Sequence, residues 1–522
     1  MKRDCSSLFY QRLPAAVGRT LWQDASDTSS QASGLKRQDA TNTLGIILFT
    51  VWLFGIAIAN NALAETSRPQ PNIVLLIADD LGYGELGCQG NSEIPTPFID
   101  ALAETGVRCT QAYVTAPNCS PSRAGLLSGR IPTRFGYEFN PIGARNEEPG
   151  AGLPSKERLL PELLHDQGYT TALIGKWHLG GTAAYHPQRH GFDEFFGFTH
   201  EGHYFVPPPW RGTTTMLRRK ALPRSATGSR HNVTEELIYT SHMGHDEPDY
   251  DANNPILRIG QPVAEEEYLT DALAREACDF IDRFQSSPFF LTVTFNAVHS
   301  PLQAKNETLA KFSRIEDMHR RIFAAMLSDL DKAVGRITAK LDKCQIREDT
   351  LIIFLSDNGG PTKELTSSNL PLRDGKGSMY EGGFRVPFIY SWRGRIPEGK
   401  VCDQVLTSLD ILPTALAAAG APSASGKDGL NILPTLEDLS QQLPDRTLYW
   451  RQGHRAALRR GDWKVVSPRR EQNRKGPRVW ELYNVASDIS ETRNLAAEEP
   501  DRLEALVEAW ETLDAEMQEP AF

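Results

Sequence analysis

Four short apolar, β-branched runs in this chain of 522 residues each finish in side chains that bind cations, bind anions or move protons. NIVLLIADD (72–80) ends in Asp79 and Asp80, and YTTALIGKWHLG (169–180) ends in Lys176 and His178. PFFLTVTFNAVHSP (288–301) ends in His299, and DTLIIFLSDNGG (349–360) ends in Asp357 and Asn358. Taken singly, an aspartate after a strand is usually a turn or cap residue, and a lone histidine is usually a satisfied structural group. Gathered at one edge of one sheet, three carboxylates, an amide, two imidazoles and an ammonium need a cation and an anion to neutralise them. The hard oxygen donors separate from the rest: Asp79, Asp80, Asp357 and the Asn358 carbonyl suit Ca²⁺ or Mg²⁺, and no Cys/His cluster at zinc spacing competes. Lys176, His178, His299 and Lys376, the last in PLRDGKGSMYEGG (371–383), are left to face an anionic substrate and transfer protons.

A fifth stretch, APNCSPSRAGLLSGR (116–130), sets Cys119 against an expected helix start, with Ser120 as N-cap, Pro121 at the first helical position and Arg123 in the first turn. The N–H groups and dipole of a helix N-terminus favour an anion, and Arg123 adds a fixed cation, so a bare thiol there is expected to be a low-pKa nucleophile. The alternative is a buried structural cysteine beside a capped helix. By average composition, C-x-P-S-R arises by chance in a chain this long about one time in a thousand.

The elements that must position these groups follow from periodicity. Buried parallel strands that stop at a ligand-binding edge predict an α/β fold, a large, mostly parallel sheet between helices. RRIFAAMLSDLDKAVGRITAKL (320–341) repeats apolar residues at Ile322, Met326, Leu330, Val334, Ile337 and Leu341, a stripe suited to covering that sheet, which makes the methionine core. SLDILPTALAAAG (408–420), with Leu409, Leu412 and Leu416, returns to it as an amphipathic helix, and the catalytic domain is expected to span about 70–438. RTLYWRQ, HRAALRRGDWKVVS and VWELYN are strand-like, and DRLEALVEAWETL is helical with Leu503, Leu506, Val507, Trp510 and Leu513 on one face. They predict a small C-terminal antiparallel sheet plus helix over about 445–522.

The net charge of −10 gives no electrostatic footprint for nucleic acid. Seven cysteines without C-x-x-C spacing are too few for a disulfide scaffold, though a bridge or two stays open. LGIILFTVWLFGIAIA (44–59), preceded by Lys36 and Arg37 and followed by Ala62-Leu63-Ala64, has the form of a signal-peptide core and cleavage region over 44–64. Export to a periplasm or the cell exterior is expected, with an uncleaved membrane anchor as the alternative. Residues 1–43 are polar and mixed in charge, which predicts a disordered leader.

The motifs together resemble the type I sulfatases of the alkaline-phosphatase superfamily, whose signature C-x-P-S-R-x-x-x-L-[TS]-G-R is met by Cys119 to Arg130. PNIVLLIADDLGYGELGCQG, GKWHLGG, HGFDEFFGF, NAVHSPLQ, SDNGG and RDGKGSMYEGGFRVP extend the likeness over nearly all of the exported chain. The resemblance implies an alkaline-phosphatase-like fold and oxidation of Cys119 to Cα-formylglycine by a formylglycine-generating enzyme. In the hydrated aldehyde, one hydroxyl attacks sulfur while the alcohol leaves, and the other then expels sulfate; a serine or thiol would stall at the covalent stage. It further implies a cation, calcium by family habit with magnesium open, held by Asp79, Asp80, Asp357, Asn358 and the modified Cys119. Arg123 and Lys176 would fix the formylglycine and the sulfate, His178 would take the proton from the ejecting hydroxyl, and His299 and Lys376 would contact the sulfate and assist the leaving oxygen. Glu85, Val298 and Asp374 depart from the residues common in the family without removing a catalytic group.

On this reading the substrate is a sulfated carbohydrate or an aryl sulfate. A phosphodiester or phosphonate monoester hydrolase on the same scaffold, and a sulfated-glycan binding protein without turnover, are the alternatives. Residues 200–265, rich in Pro, Arg and aromatics with little periodicity, form an insertion near the active edge, where specificity usually lives. There His200, His203, Tyr204 and Trp210 either contact a sugar or pack the loop, and His454 is a further candidate. Asn232 and Asn306 lie in sequons, which matter only in a eukaryotic secretory pathway.

Overall fold

The strand β1 (Asn72–Ala78) is buried at every residue, which an apolar, β-branched run achieves only when both faces of its sheet are covered. In this computed structural model, which describes residues 70–223, 228–468 and 478–522, the other strands of the first part of the chain are β2 (Val107–Tyr113), β3 (Thr170–Lys176), β4 (Glu194–Phe198), β5 (Thr213–Arg218), β6 (Arg230–Asn232), β7 (Leu237–Thr240), β8 (Leu257–Arg258) and β9 (Gln261–Pro262). They are followed by β10 (Phe289–Thr294), β11 (Leu302–Lys305), β12 (Thr350–Ser356), β13 (Phe388–Ser391) and β14 (Lys400–Thr407), then β15 (Thr447–Gln452), β16 (Arg455–Arg460), β17 (Trp463–Ser467) and β18 (Glu481–Asn484). The expected leader and signal segment lie outside the described residues.

The main sheet has ten strands in the order β14-β2-β13-β12-β1-β10-β3-β4-β8-β9. The four runs singled out by their endings are four consecutive neighbours, β12, β1, β10 and β3, all parallel, with Ala78 opposite Ser356, Ile77 opposite Thr294, and Thr294 opposite Gly175. Their carboxyl ends therefore share one edge. Side chains along β1 alternate between two cores: Val74 and Leu76 pack with the helices Leu269–Phe284 and Met318–Lys343, while Ile73, Leu75 and Ile77 pack with Leu126, Leu127 and the helix Ile411–Ala418. On the helix Met318–Lys343, Ile322, Met326, Leu330, Val334, Ile337 and Leu341 are all fully buried, each worth about 1.5–3 kcal/mol against exposure. Asp317 caps its start by accepting from His319 N.

The stretch 200–265 is not the aperiodic loop that its composition suggests. It supplies β5, β6 and β7, which join β11 in a separate sheet ordered β11-β5-β7-β6, and β8 and β9, which extend the main sheet. These strands are short, and β5 pairs with β11 far along the chain, so local periodicity carries no trace of them. All six described cysteines are free thiols.

The C-terminal strands β15-β16-β17-β18 form an antiparallel sheet covered by the helix Pro500–Asp514, whose Leu506 and Trp510 are buried on it. This sheet is tied to the rest by Trp450, stacked on Phe384 at 4.4 Å with Nε1 donating to Val114 O at 2.8 Å. It is also tied by charge: Lys464 Nζ lies 3.0 Å from Glu381 Oε1 and 2.9 Å from Glu491 Oε1, all three side chains fully buried. Glu381 precedes the β13 strand and also accepts from Tyr113 Oη at 2.6 Å, while its backbone N–H donates to Glu491 Oε2 at 2.6 Å. Removing the shared cation leaves two buried carboxylates without it, so Lys464→Met is expected to destabilise the fold by about 3–5 kcal/mol. Urea unfolding of the purified variant checks this; a midpoint within error of the wild type would count against the cluster as a fastening.

Candidate active site

Just past the end of β1 the backbone turns through Asp79 and Asp80, held by Asp79 N–H donating to Ala297 O at 3.0 Å and Asp357 N–H donating to Ala78 O at 3.1 Å. Asp80 (φ 65°) and His178 (φ 53°) both occupy the left-handed region, which a side-chain-bearing residue enters at a cost. In each case the turn aims the side chain into the space beyond the sheet edge, where strain is kept because the surroundings over-determine it.

The helix Cys119–Ser128 delivers the thiol. Its N-cap is Asn118 rather than Ser120, and Pro121 falls at the third helical position rather than the first, because Cys119 itself already has helical geometry. Ser120 is occupied otherwise: its Oγ donates to His178 O at 2.5 Å and lies 2.7 Å from Tyr137 Oη. Cys119 is 1% exposed, and its Sγ lies 3.6 Å from Asp79 Oδ1. The low-pKa thiol expected from the helix N-terminus is not found. Burial pushes the Cys119 thiol well up, Lys176 and Lys376 pull it down without compensating, and Asp357 and Asp79 add to the rise.

Carboxylates and cations alternate around that sulfur. Asp79 Oδ2 accepts from Lys176 Nζ at 2.5 Å, and Arg123 donates from Nε to Asp357 Oδ2 at 2.8 Å and from Nη1 to Lys176 O at 3.0 Å. Asp80 lies 2.7 Å from Lys376 Nζ through Oδ1 and 2.8 Å through Oδ2, and His299 Nε2 lies 3.7 Å from Oδ2. Burial pushes the Asp80 carboxyl up, but Lys376 and His299 outweigh it and hold it at about 2. Asp357 goes the other way: burial and the neighbouring Asp79 lift it to about 6 against the pull of Arg123. One ligand atom from each of Asp79, Asp80, Cys119 and Asp357 falls within 4.8 Å of the others. Asn358 Nδ2 donates to Asp80 Oδ1 at 2.7 Å, whereas its Oδ1 is buried without a hydrogen-bond partner among the described residues. A crowded set of carboxylates with an orphaned amide oxygen is what a hard divalent cation would satisfy, so the residues fit one.

His178 presents a second orphan. Its Nε2 lies 2.9 Å from Pro141 O, a group that can only accept, so Nε2 carries the proton and Nδ1, buried and unpartnered among the described residues, is the basic nitrogen. Burial first, then Lys176, hold its pKa well below the ordinary histidine value, which keeps the ring neutral and able to accept a proton. His299 is confined differently, with Nδ1 2.7 Å from Ser300 O and the Tyr250 ring edge-on at 6.1 Å.

All ten residues named from the sequence thus meet at one edge. The insertion candidates stand apart from them: Tyr204 is buried against Tyr250 (5.9 Å) and Trp210 (6.0 Å), and His203 Nδ1 is tied to Tyr204 O. His200 is buried, with Nε2 facing Gly181, and His454 is exposed on the β15–β16 turn. Glu85 is a buried partner of Arg320 at 2.8 Å and Ser368 N at 2.5 Å, Val298 is buried in the core, and Asp374 is exposed with Ser378 Oγ at 3.1 Å. Sequence reasoning missed Tyr137, Pro141, Arg218, Glu247 and Glu364, none of which stands in a motif that marks it.

A family model described as Sulfatase matches residues 71–421, and one described as N-sulphoglucosamine sulphohydrolase, C-terminal, matches 374–519. N-acetylgalactosamine-6-sulfatase of Canis lupus familiaris is 34% identical over 418 residues, covering 77% of this chain and 73% of that protein. Steryl-sulfatase of Homo sapiens is 34% identical over 427 residues, covering 73% of this chain and 72% of that protein. The crystal structure of Ps i-CgsB, also solved in complex with k-i-k-neocarrahexaose, superposes with a TM-score of 0.73 at 34% identity, covering 87% of this chain and 94% of that one. The family model over most of the chain and relatives of 34% identity covering about three quarters of it show that the chain belongs to the sulfatase family and is a sulfuric ester hydrolase.

Proposed function

We propose that this enzyme removes sulfate from a sulfated carbohydrate through a nucleophile made from Cys119. The observation that carries the reading is the convergence of Cys119 Sγ with Asp79, Asp80 and Asp357 within 4.8 Å, flanked by Lys176 and Arg123. The sugar substrate is supported by the activity named for the N-acetylgalactosamine-6-sulfatases and by the neocarrahexaose complex of Ps i-CgsB. Export, with 44–64 as the signal segment, and a division into a catalytic unit over about 70–438 and a small α+β unit over 445–522 belong to the same reading. No helix among the described residues is long and apolar enough to cross a membrane.

Asp79, Asp80, Asp357, Asn358 and the modified Cys119 would hold the cation, calcium in this proposal, which supplies Lewis acidity toward the nucleophile and a sulfate oxygen. Conversion of Cys119 to formylglycine by a formylglycine-generating enzyme supplies, on hydration, the two hydroxyls that attack and release require. Arg123 and Lys176, both buried and already paired with Asp357 and Asp79, are preorganised cations beside the reacting group. Neutral His178 has its Nδ1 available for the proton lost as sulfate is expelled. Lys376 and His299, on either side of Asp80, form the wall that meets the substrate's oxygens. The buried charges favour this assignment: Asp79, Asp80 and Asp357 balance Arg123, Lys176 and Lys376, so an added dication leaves the site positive by two, suited to an anionic ester and an anionic nucleophile.

Cys119→Ala is expected to keep the fold, by circular dichroism and unfolding midpoint, and to lose aryl sulfate turnover by on the order of 10³-fold or more. Peptide mass must show the aldehyde in the active wild type, and wild-type rates in a folded alanine variant would remove Cys119 from the chemistry. Calcium at 100 times its Kd should stabilise the protein by about 2.7 kcal/mol, read as a rise in Tm that Asp357→Asn abolishes. Magnesium run in parallel decides the ion. A desulfation screen over defined sulfated oligosaccharides, with matched phosphate esters, tests the substrate class; turnover of the phosphate series alone would replace the sulfatase reading with that of a phosphoester hydrolase.

A further inference from the structure

Arg218, the last residue of β5, is buried at 6% exposure among groups from three other segments. Its Nε and Nη2 hold the Glu247 carboxylate at 3.0 and 2.5 Å, and Nη1 pairs with Glu364 Oε1. Nη2 also lies 2.9 Å from Tyr250 Oη and 3.3 Å from Ser300 Oγ. Ser300 Oγ in turn is 2.8 Å from Tyr250 Oη and donates to Glu364 Oε1 at 3.0 Å. A buried ion cluster of this kind is weak evidence for a stabilising role, because desolvation offsets most of the attraction. What it does have is an address. Glu364 lies six residues beyond Asn358, and Ser300 adjoins His299.

His299 is boxed in by the same groups. Ser300 O lies 2.7 Å from its Nδ1, and the Tyr250 ring stands at 80° to the imidazole. On Gly202 an added Cβ would come within 2.9 Å of Tyr250 Cε1 and 3.3 Å of His299 Cε1, so that glycine also lies against the ring. Lys376, Lys176, Asp80 and Glu364 are the charges that face it. The other nitrogen, Nε2, is thereby left pointing at the cleft beside Asp80, 3.7 Å from Oδ2.

We propose that Arg218 is a positioning residue for His299: by fastening Ser300, Tyr250 and Glu364 to one another it fixes the imidazole against the leaving oxygen of the substrate. This rests on the role given above to His299. As the ester S–O bond breaks, its electron pair stays on the departing oxygen and sulfur is transferred to the nucleophile. With the Nδ1 N–H of His299 engaged by Ser300 O, the departing oxygen takes the Nε2 proton of the imidazolium, the form favoured by the bound anionic ester, and the ring is left neutral. A nitrophenolate leaves without help, whereas a poorer leaving group depends on the group facing it. A displaced His299 therefore costs most with poor leaving groups, while general loosening of the site costs all esters alike. On this view the inserted sheet acts on catalysis from behind the histidine, whatever else it does toward the substrate.

The test uses formylglycine-bearing, calcium-loaded enzyme and substituted phenyl sulfates running from 4-nitrophenyl to 4-methoxyphenyl. Ser300→Ala, which leaves the Arg218 ion pairs in place, and Arg218→Met are both expected to lower kcat about tenfold on 4-methoxyphenyl sulfate and less than about threefold on 4-nitrophenyl sulfate, with KM within about twofold. His299→Ala should show the same tilt more strongly, and the His299→Ala/Ser300→Ala double variant should lose nothing further. If Arg218→Met fails to fold, Ser300→Ala carries the test alone. Equal losses across the series, unchanged kcat at Ser300→Ala, or full additivity in the double variant would overturn the inference. A flat His299→Ala profile would overturn the role of His299 and the inference with it, and inactivity of the wild type on the whole series would overturn the sulfatase reading itself.

Discussion

Six formal charges are withdrawn from water at one edge of the main sheet, and the architecture is arranged around keeping them in balance. Asp79, Asp80 and Asp357 stand against Arg123, Lys176 and Lys376, and no group in the set has a choice of partners far away. In a medium of low polarisability, breaking any one pair leaves a bare charge, which costs far more than the pair gained on forming. Four parallel neighbours, β12, β1, β10 and β3, are rigid enough to hold carboxylates that repel one another. Burial first, then the neighbouring Asp79, lift Asp357 to about 6, and the second of these records that repulsion. Electrostatic preorganisation of this kind is the largest single contribution available to an enzyme that transfers a charged group.

The same device recurs in two further places. Lys464 lies between Glu381 and Glu491 and fastens the C-terminal sheet to the stretch that runs back to Lys376. Arg218 lies between Glu247 and Glu364 and fastens the inserted sheet to the loops of His299 and Asn358. Each auxiliary sheet thus meets the catalytic edge through a cation shared by two carboxylates. Such joints are directional, whereas an apolar contact such as Trp450 on Phe384 supplies cohesion without specifying the position of a loop to within an ångström.

How much of this was legible in the sequence depends on whether the signal was local. Strands β1, β3, β10 and β12 were plain because buried parallel strands are continuous apolar runs, and their terminal residues named most of the candidate site side chains, while Cys119, Arg123 and Lys376 came from two loop-and-helix motifs. Their order in the sheet was not legible, because nothing in a run of valines and leucines states which run it lies beside. The strands of 200–265 escaped because they are short and because β5, which anchors their sheet, pairs with β11 about ninety residues further on. Arg218 and Lys464 escaped for the opposite reason: a charged residue on a strand reads as solvated until the carboxylates that surround it are known. Cys119 was correctly placed at a helix N-terminus, yet its thiol is not acidified, since complete burial outweighs the helix and the neighbouring lysines together.

The burial of Cys119 sets an order of events. A side chain with 1% of its surface exposed cannot enter the active site of another protein, so any enzyme that alters it has to act while the chain is still open. The last of the fastening cations is a late arrival: Lys464 follows Cys119 by 345 positions in the sequence. At ribosomal speeds that separation corresponds to roughly 17–70 s. That interval separates the emergence of the buried cysteine from the emergence of the cation that ties the C-terminal sheet to Glu381, so the two events are spaced by the length of chain between them.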